Sequence, residues 1–507
     1  MLYINTFDCN NNISEIYYNK YYNTYSNKVY THGNNKFGEL GIGISSTQYK
    51  IPNMQEVLLD KQIKDIKIAK NLTYFIMLDN TLYACGDNTN GILGIGSNEI
   101  CIYTPQKVLI EEIIKDILIY KYYCYFITNN NKVYASGDNV YGTLGIGSHE
   151  EAIRIPQKVL IEKKIKKIKT ICNRSYYITY DDELFATGVN VSGELGIDSD
   201  EKFIYKPQKV LIKEKIKDII LYDDIMYILT IEDEIYACGY NENGQLGTGS
   251  DDESIRVPQK VLIEEKIKNI IVDDHVTFLI TITDNIYAFG YNKYGQLGIN
   301  SIENNVSVPQ KVLIEDKIKD IKIYYRYTYF ITLDNIIYAC GDNDAGHLGI
   351  GSHNKVVCIP QKVLIEEKIK HIEDNYMETY FITTDNEVYA CGYNEYGQLG
   401  INSTEKYIFI PQKVLIEEQI KKVIVNENSQ TCFITFKHNG YACGNNNCGQ
   451  FGIGIFKGKI YTPQKILIKE EIKQIEVNSF NAYFITCNNE IYICDDKTCI
   501  PHIDINR

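Results

Sequence analysis

No stretch of the chain approaches the roughly 18–20 uncharged apolar residues that a membrane-spanning helix requires, so such a helix is not expected. The opening residues, MLYINTFDCN, have neither a basic segment nor an apolar run, and so do not read as a secretory signal. No basic block stands at either end, and the formal net charge is −13. An acidic chain is poorly suited to phosphate backbones, which call for a cationic surface, so direct nucleic-acid binding is not expected. Tryptophan is absent, whereas tyrosine is plentiful at 43 residues. These absences leave a cytoplasmic protein without membrane attachment as the expectation, with the nucleus as the alternative compartment.

Proline is scarce, with ten in 507 residues, and the ten are regularly placed. From Pro105 to Pro411 they recur every 51 residues, with Pro52, Pro463 and Pro501 flanking that run. Glycine keeps the same beat. Nine copies of G-x-x-x-x-G-x-x-G begin at Gly33, Gly86, Gly137, Gly188, Gly239, Gly290, Gly341, Gly392 and Gly444. A tenth unit, IYICDDKTCIP from Ile491 to Pro501, has lost this loop. Self-similarity at such a period is the mark of a repeat architecture. The reading is one array over 1–507, with units 10–62, 63–113, 114–164, 165–215, 216–266, 267–317, 318–368, 369–419, 420–471 and 472–507.

Six of the 15 cysteines also follow the period. Cys85, Cys238, Cys340, Cys391, Cys443 and Cys494 share one repeat position, held elsewhere by Ser136, Thr187 or Phe289. A slot that accepts Ser, Thr and Phe is a packing slot rather than a disulfide half. No C-x-x-C pair and no His-x-x-x-His pair accompanies the thiols, so reduced core cysteines are expected and no metal or cofactor.

Within one unit, Ile318–Ile323 is a short strand candidate, and YFITLDN and IIYAC flank the Asp334-Asn335 turn in a hairpin pattern. Gly341 falls where positive φ is expected. The segment after Pro360 is ambiguous. Ile365, Ile369 and Ile372 have helical spacing, and Pro360 could open a helix. The alternative is a strand at VLI, a turn at EEK and the next strand at IKHI.

The string from Gly239 to Ser250, GYNENGQLGTGS, with the preceding YAC and a downstream proline, resembles the repeat of the regulator-of-chromosome-condensation family. The resemblance runs from about residue 28 to 494. It implies an all-β fold, a β-propeller-like array of about ten four-stranded blades, as a closed ring or an open spiral, and so favours the strand reading. The sequence departs from the family in having mostly Cys where the family has Trp before the glycine.

No catalytic set recurs. The eight histidines occupy unlike repeat positions, and the glycine loops lack the lysine of a phosphate-binding G-x-x-x-x-G-K-[ST] motif. The expectation is a non-enzymatic interaction scaffold with no cofactor and a protein partner of unknown identity. The resemblance supplies the alternative, a nucleotide exchange factor or regulator of a small GTPase. That activity depends in the family on a projecting insertion, for which the strict 51-residue period leaves little room.

Two loop positions vary between repeats: one after the first strand, the other before the second glycine of each loop. In an antiparallel four-stranded blade both emerge at one end. The candidate partner-binding residues are Tyr122, Tyr123, Tyr324, Tyr325, Arg326 and Tyr376 from the first site, with Tyr141, Tyr294 and Tyr396 from the second. Tyr and Arg are enriched at protein interfaces.

Overall fold

The computed structural model describes residues 20–23, 28–45, 50–273, 275–456, 458–478, 480–494 and 499–503. Among the described residues, nine antiparallel sheets of four strands and one of three follow one another along the chain. The strands of each sheet lie in sequence order, as in a β-propeller blade. Among the described residues the one helical element is a 3-10 turn, Thr89–Gly91. The α/β alternative left by the Ile365/Ile369/Ile372 spacing therefore falls away.

The seventh blade shows the pattern. Its strands are Ile318–Ile323, Tyr327–Thr332, Ile337–Asp342 and Val356–Lys362. The β-branched and aromatic run YTYFIT is buried along nearly its whole length. Asn335 turns the chain into the third strand at φ 61°, a left-handed conformation that Asn tolerates. Gly341 has φ 119°, and a Cβ there would lie 2.4 Å from the Arg326 carbonyl oxygen. Only glycine allows this approach of the 324–326 loop to the third strand.

The fourth strand differs from the sequence reading. It lies before the VLI segment and contains the proline: VVCIPQK in blade seven. Register slips there, Ala339 pairing with Gln361 and Gly341 with Val357, so that Cys340 faces the three residues 358–360. Pro360 thus sits in a bulge on an edge strand, where its missing N–H breaks no ladder bond. VLI is a connector. Val363 is buried and its N–H donates to the Ile337 carbonyl at 2.9 Å.

The chain divides into two compact units, Met1–Glu242 with Asp251–Val261, and Asn243–Ser250 with Leu262–Arg507. Within each, the glycine loop of one blade packs on the next blade. In the first unit, a Cβ on Gly41 would lie 2.8 Å from Pro105 Cγ and 3.1 Å from Cys85 Sγ. In the second, Gly298 stands likewise against Pro360 and Cys340. This explains why residues 243–250, the glycine loop of blade five, belong with the second unit.

The recurrent Cys slot is more than packing. Cys340 Sγ donates to the Gln296 carbonyl at 3.3 Å and Cys391 Sγ to the His347 carbonyl at 3.2 Å. Ser136 Oγ does the same to the Ile92 carbonyl at 2.8 Å. The position supplies a donor to the preceding glycine loop, which Cys, Ser and Thr can all provide. Phe289 is the exception, its ring lying against Gly247 instead. None of Cys85, Cys238, Cys340, Cys391 and Cys443 is in a disulfide, and all are buried. Burial pushes the Cys340 and Cys391 thiols well above the usual range. Edge-to-face contacts between second strands continue the core from blade to blade, as for Tyr74–Phe126 at 5.8 Å and Tyr329–Phe381 at 5.9 Å.

Candidate functional site

Strand pairing places both variable loops of a blade at one end, and the polar connectors and second-to-third-strand turns at the other. At the loop end of the second unit, side chains from blades six and seven meet. Tyr325 is 54% exposed and stacks on Tyr291 with centroids 5.8 Å apart and planes at 17°. Arg326 places its guanidinium 4.9 Å from the Tyr294 ring centroid and lies 3.4 Å from an Asp342 carboxylate oxygen. Tyr291 and Tyr294 meet edge to face at 6.2 Å. His275 abuts Tyr325 at 5.7 Å, and its Nδ1 is 3.3 Å from Asn243 Nδ2.

One buried side chain fixes the backbone beneath this patch. Gln296 Nε2 donates to the Tyr325 carbonyl at 3.2 Å, and Gln296 Oε1 accepts from the Tyr294 N–H at 3.1 Å. Gln296 therefore ties the glycine loop of blade six to the 324–326 loop of blade seven. Partial burial and the neighbouring Tyr325 hydroxyl push the Tyr291 hydroxyl up to about 12, so it is neutral at ordinary pH. The patch offers aromatic faces, one guanidinium and several hydroxyls, held in place before any partner arrives.

The other nominated residues fall elsewhere. Tyr123 is a correction. It is only 6% exposed and opens the second strand of blade three, packed against Tyr120 and Tyr125, so it is a core residue rather than a contact. Tyr324 is half-buried, stacked on Tyr327 at 5.0 Å, and serves the core more than the surface. Tyr122 is exposed with Lys121 Nζ 4.7 Å over its ring, and Tyr141 leans on Phe203 at 5.3 Å, both in the first unit. Tyr376 is 73% exposed, and Tyr396 carries Lys459 Nζ 5.1 Å over its ring. Asp274, part of the variable loop of blade six, lies outside the described residues, as do positions 495–498 of the last unit.

Tyr123 went wrong because its position belongs to a buried pair. In blades four, seven and eight the first residue of the second strand meets the residue before the leucine of its own glycine loop. The partners are chemically matched. Arg174 lies 3.3 Å from Glu194, Tyr327 packs on His347 at 4.5 Å, and Gln398 Nε2 donates to Glu378 Oε1 at 2.8 Å. Leu72 and Ile92 fill the same two places in blade two. Burial lowers the His347 imidazole to about 4 and raises the Glu378 carboxyl to about 7. The sequence nomination also missed His275, Tyr291 and Gln296 as parts of the patch. Tyr291 directly follows the first glycine of its loop, but its neighbour Tyr325 belongs to the next repeat.

Residues 232–279, 283–330 and 385–425 match the Regulator of chromosome condensation (RCC1) repeat. The chain is 28% identical over 324 residues to the Ultraviolet-B receptor UVR8 of Arabidopsis thaliana, covering 62% of this chain and 72% of the receptor. It is 29% identical over 333 residues to the probable E3 ubiquitin-protein ligase HERC4 of Homo sapiens, covering 63% of this chain but only 31% of that protein. Among solved structures, human WBSCR16 superimposes with a TM-score of 0.39 at 16% identity, covering 68% of this chain and 96% of that one. Prp20p from Saccharomyces cerevisiae superimposes with a TM-score of 0.36 at 19% identity, covering 72% and 90%.

Proposed function

We propose that this chain of Regulator of chromosome condensation (RCC1) repeats is a protein-interaction scaffold, and that it binds its partner at the loop end of blades six and seven. The observation that supports this is the convergence of Tyr291, Tyr294, Tyr325 and Arg326 from two repeats over the single buried Gln296. Aromatic and Arg side chains supply most anchors at protein interfaces. Here their mutual stacking and the fixed backbone reduce the ordering cost of association. The polar rim of Asp342, Asn243 and His275 gives hydrogen-bonding groups around the apolar faces. Within this reading the scaffold does no chemistry of its own, and specificity comes from which rings and charges each loop presents.

The test is affinity purification of the intact chain from cells, with bound proteins identified by mass spectrometry. Three baits are compared: the native chain, the double change Tyr325→Ala with Arg326→Ala, and Glu366→Ala at the connector end. A partner retained by the native chain and by Glu366→Ala, and lost from the double variant, supports the reading. Partners held equally by all three baits would sink it. Preferential recovery of a nucleotide-free small GTPase would move the assignment to the exchange-factor alternative.

A further inference from the structure

The opposite end of the blades carries recurrent residue types at each junction, and one junction departs from them. Where the second strand turns into the third, the left-handed residue is Asn or Asp in blades two to eight and in blade ten, as with Asp284 at φ 64° and Asn489 at φ 64°. In blade nine it is His438, at φ 59°. The position just before the next first strand is Lys in five repeats, among them Lys317 and Lys368. At the junction of blades six and seven the two are charged and pair, Lys317 Nζ lying 2.9 Å from Asp284 Oδ2. Between blades nine and ten the lysine is replaced by Glu471. The residue that follows the second strand, Leu333 or Thr384 in other repeats, is Cys487.

The backbone around these three residues keeps the bonds seen at other junctions. Ile472 N–H donates to the His438 carbonyl at 2.8 Å, as Ile420 N–H does to Asn386 at 2.9 Å. Cys487 N–H donates to the Glu471 carbonyl at 2.8 Å, as Thr384 N–H does to Lys368 at 2.9 Å. Only the side chains have changed, and all three have changed to metal-ligand types. Their donor atoms lie within 4.8 Å of one another, and His438 Nδ1 stands 3.7 Å from Cys487 Sγ. Zinc bonds of about 2.3 Å to sulfur and about 2.0–2.1 Å to nitrogen, at a tetrahedral angle, set the two ligand atoms about 3.6 Å apart. Glu471 and Cys487 are exposed and His438 is half-buried, which leaves one side of the cluster open to solvent.

We propose that His438, Glu471 and Cys487 form a binding site for a zinc-class divalent cation, with the fourth coordination position open to water. A thiolate, an imidazole and a carboxylate make a borderline donor set that suits zinc and cobalt, and not the all-oxygen preference of calcium or magnesium. Binding releases the thiol proton to solvent and leaves the imidazole proton on Nε2. The Ile472 carbonyl, 3.3 Å from His438 Nδ1, is then a neighbour of the coordinated ring rather than its hydrogen-bond acceptor. The cation would link the turn of blade nine to blade ten, whose fourth strand is just His502–Ile503.

The experiment is a titration of the intact chain with Co(II), followed by thiolate-to-cobalt charge-transfer absorption, and then competition with Zn(II). The expected result is one equivalent of cobalt with a charge-transfer band that zinc abolishes. Cys487→Ser should remove the band. His438→Asn should weaken cobalt binding by about 100-fold or more, since even outer-shell partners cost about 10–100-fold. Glu471→Lys should do the same. Asn and Lys are the residues other repeats carry at those places, so metal-free melting and circular dichroism should match the native chain. Zinc should raise the melting temperature of the native chain and not of the variants. A band that survives Cys487→Ser, or an affinity that His438→Asn leaves unchanged, would overturn the proposal. The 3.7 Å contact would then be a thiol–imidazole hydrogen bond alone.

Discussion

Replacing Glu378 by Gln gives a stability effect whose size and pH dependence can both be worked out. The carboxyl is 4% exposed, accepts from Gln398 at 2.8 Å and Asn375 at 3.2 Å, and faces the carboxylate of Asp374. Burial outweighs the hydrogen bonds and raises it from 4.5 to about 7. A carboxyl raised in the folded state binds its proton more tightly there than in the unfolded chain. Folding stability is therefore greatest below the unfolded value and falls as pH rises through the window from 4.5 to about 7. At about 1.4 kcal/mol per pKa unit, that displacement amounts to about 3 kcal/mol across the window. Gln keeps the shape and carries no charge, so Glu378→Gln should leave stability near neutral at pH 4.5 and raise it progressively above. The assay is denaturant or thermal unfolding of both proteins at intervals from pH 4.5 to 8, reading the difference between them so that other titrating groups cancel. Parallel profiles would mean that Glu378 has the same proton affinity folded and unfolded, contrary to the effect of its burial.

The matched pairs beneath the loops predict a second outcome. Arg174→Leu alone leaves Glu194 buried without its cation and should cost about 3–5 kcal/mol in an unfolding titration, whereas adding Glu194→Ile recreates the Leu72/Ile92 pair of blade two and should recover most of that loss. A double variant no more stable than the single one would contradict the pairing. Thiol labelling should separate the cysteines by position. Cys172 and Cys487 are exposed and should react promptly in the native protein, while Cys85, Cys238, Cys340, Cys391 and Cys443 should react only on unfolding. Prompt labelling of the second group would reject their place in the core.

Much of the blade was legible from the period alone. The hairpin of YFITLDN and IIYAC and the positive φ of Gly341 follow from β-branched and aromatic runs meeting Asn and Gly at fixed offsets. The fourth strand lies elsewhere than the sequence suggests because proline ordinarily opens an element. A bulged edge strand instead holds Pro360 within it, and only the register with Ala339 and Gly341 reveals the bulge. The Cys slot was read as packing because its hydrogen-bond acceptor, such as the Gln296 carbonyl for Cys340, lies one repeat earlier in the chain. The same reason hid the patch. Variation marks each loop singly, but Tyr325 meets Tyr291 and Arg326 meets Tyr294 across a blade boundary. Tyr123 was misplaced by a single residue at the strand edge, where Tyr122 is exposed and its neighbour is in the core. The His438, Glu471 and Cys487 cluster escaped motif spacing because its ligands come from two blades and the outer pair lie 49 residues apart.

Binding at the loop end of blades six and seven, as proposed, is open to direct measurement. The direct measurement is the equilibrium dissociation constant of a purified partner for the native chain, for Tyr325→Ala with Arg326→Ala, and for Glu366→Ala, each checked for intact folding by circular dichroism. Truncating a true anchor costs about 2 kcal/mol or more, equivalent to about thirtyfold in affinity. Weakening of at least that size is expected for the loop pair and none for Glu366→Ala. Unchanged affinity in the loop pair, or weakening confined to Glu366→Ala, would contradict the proposal.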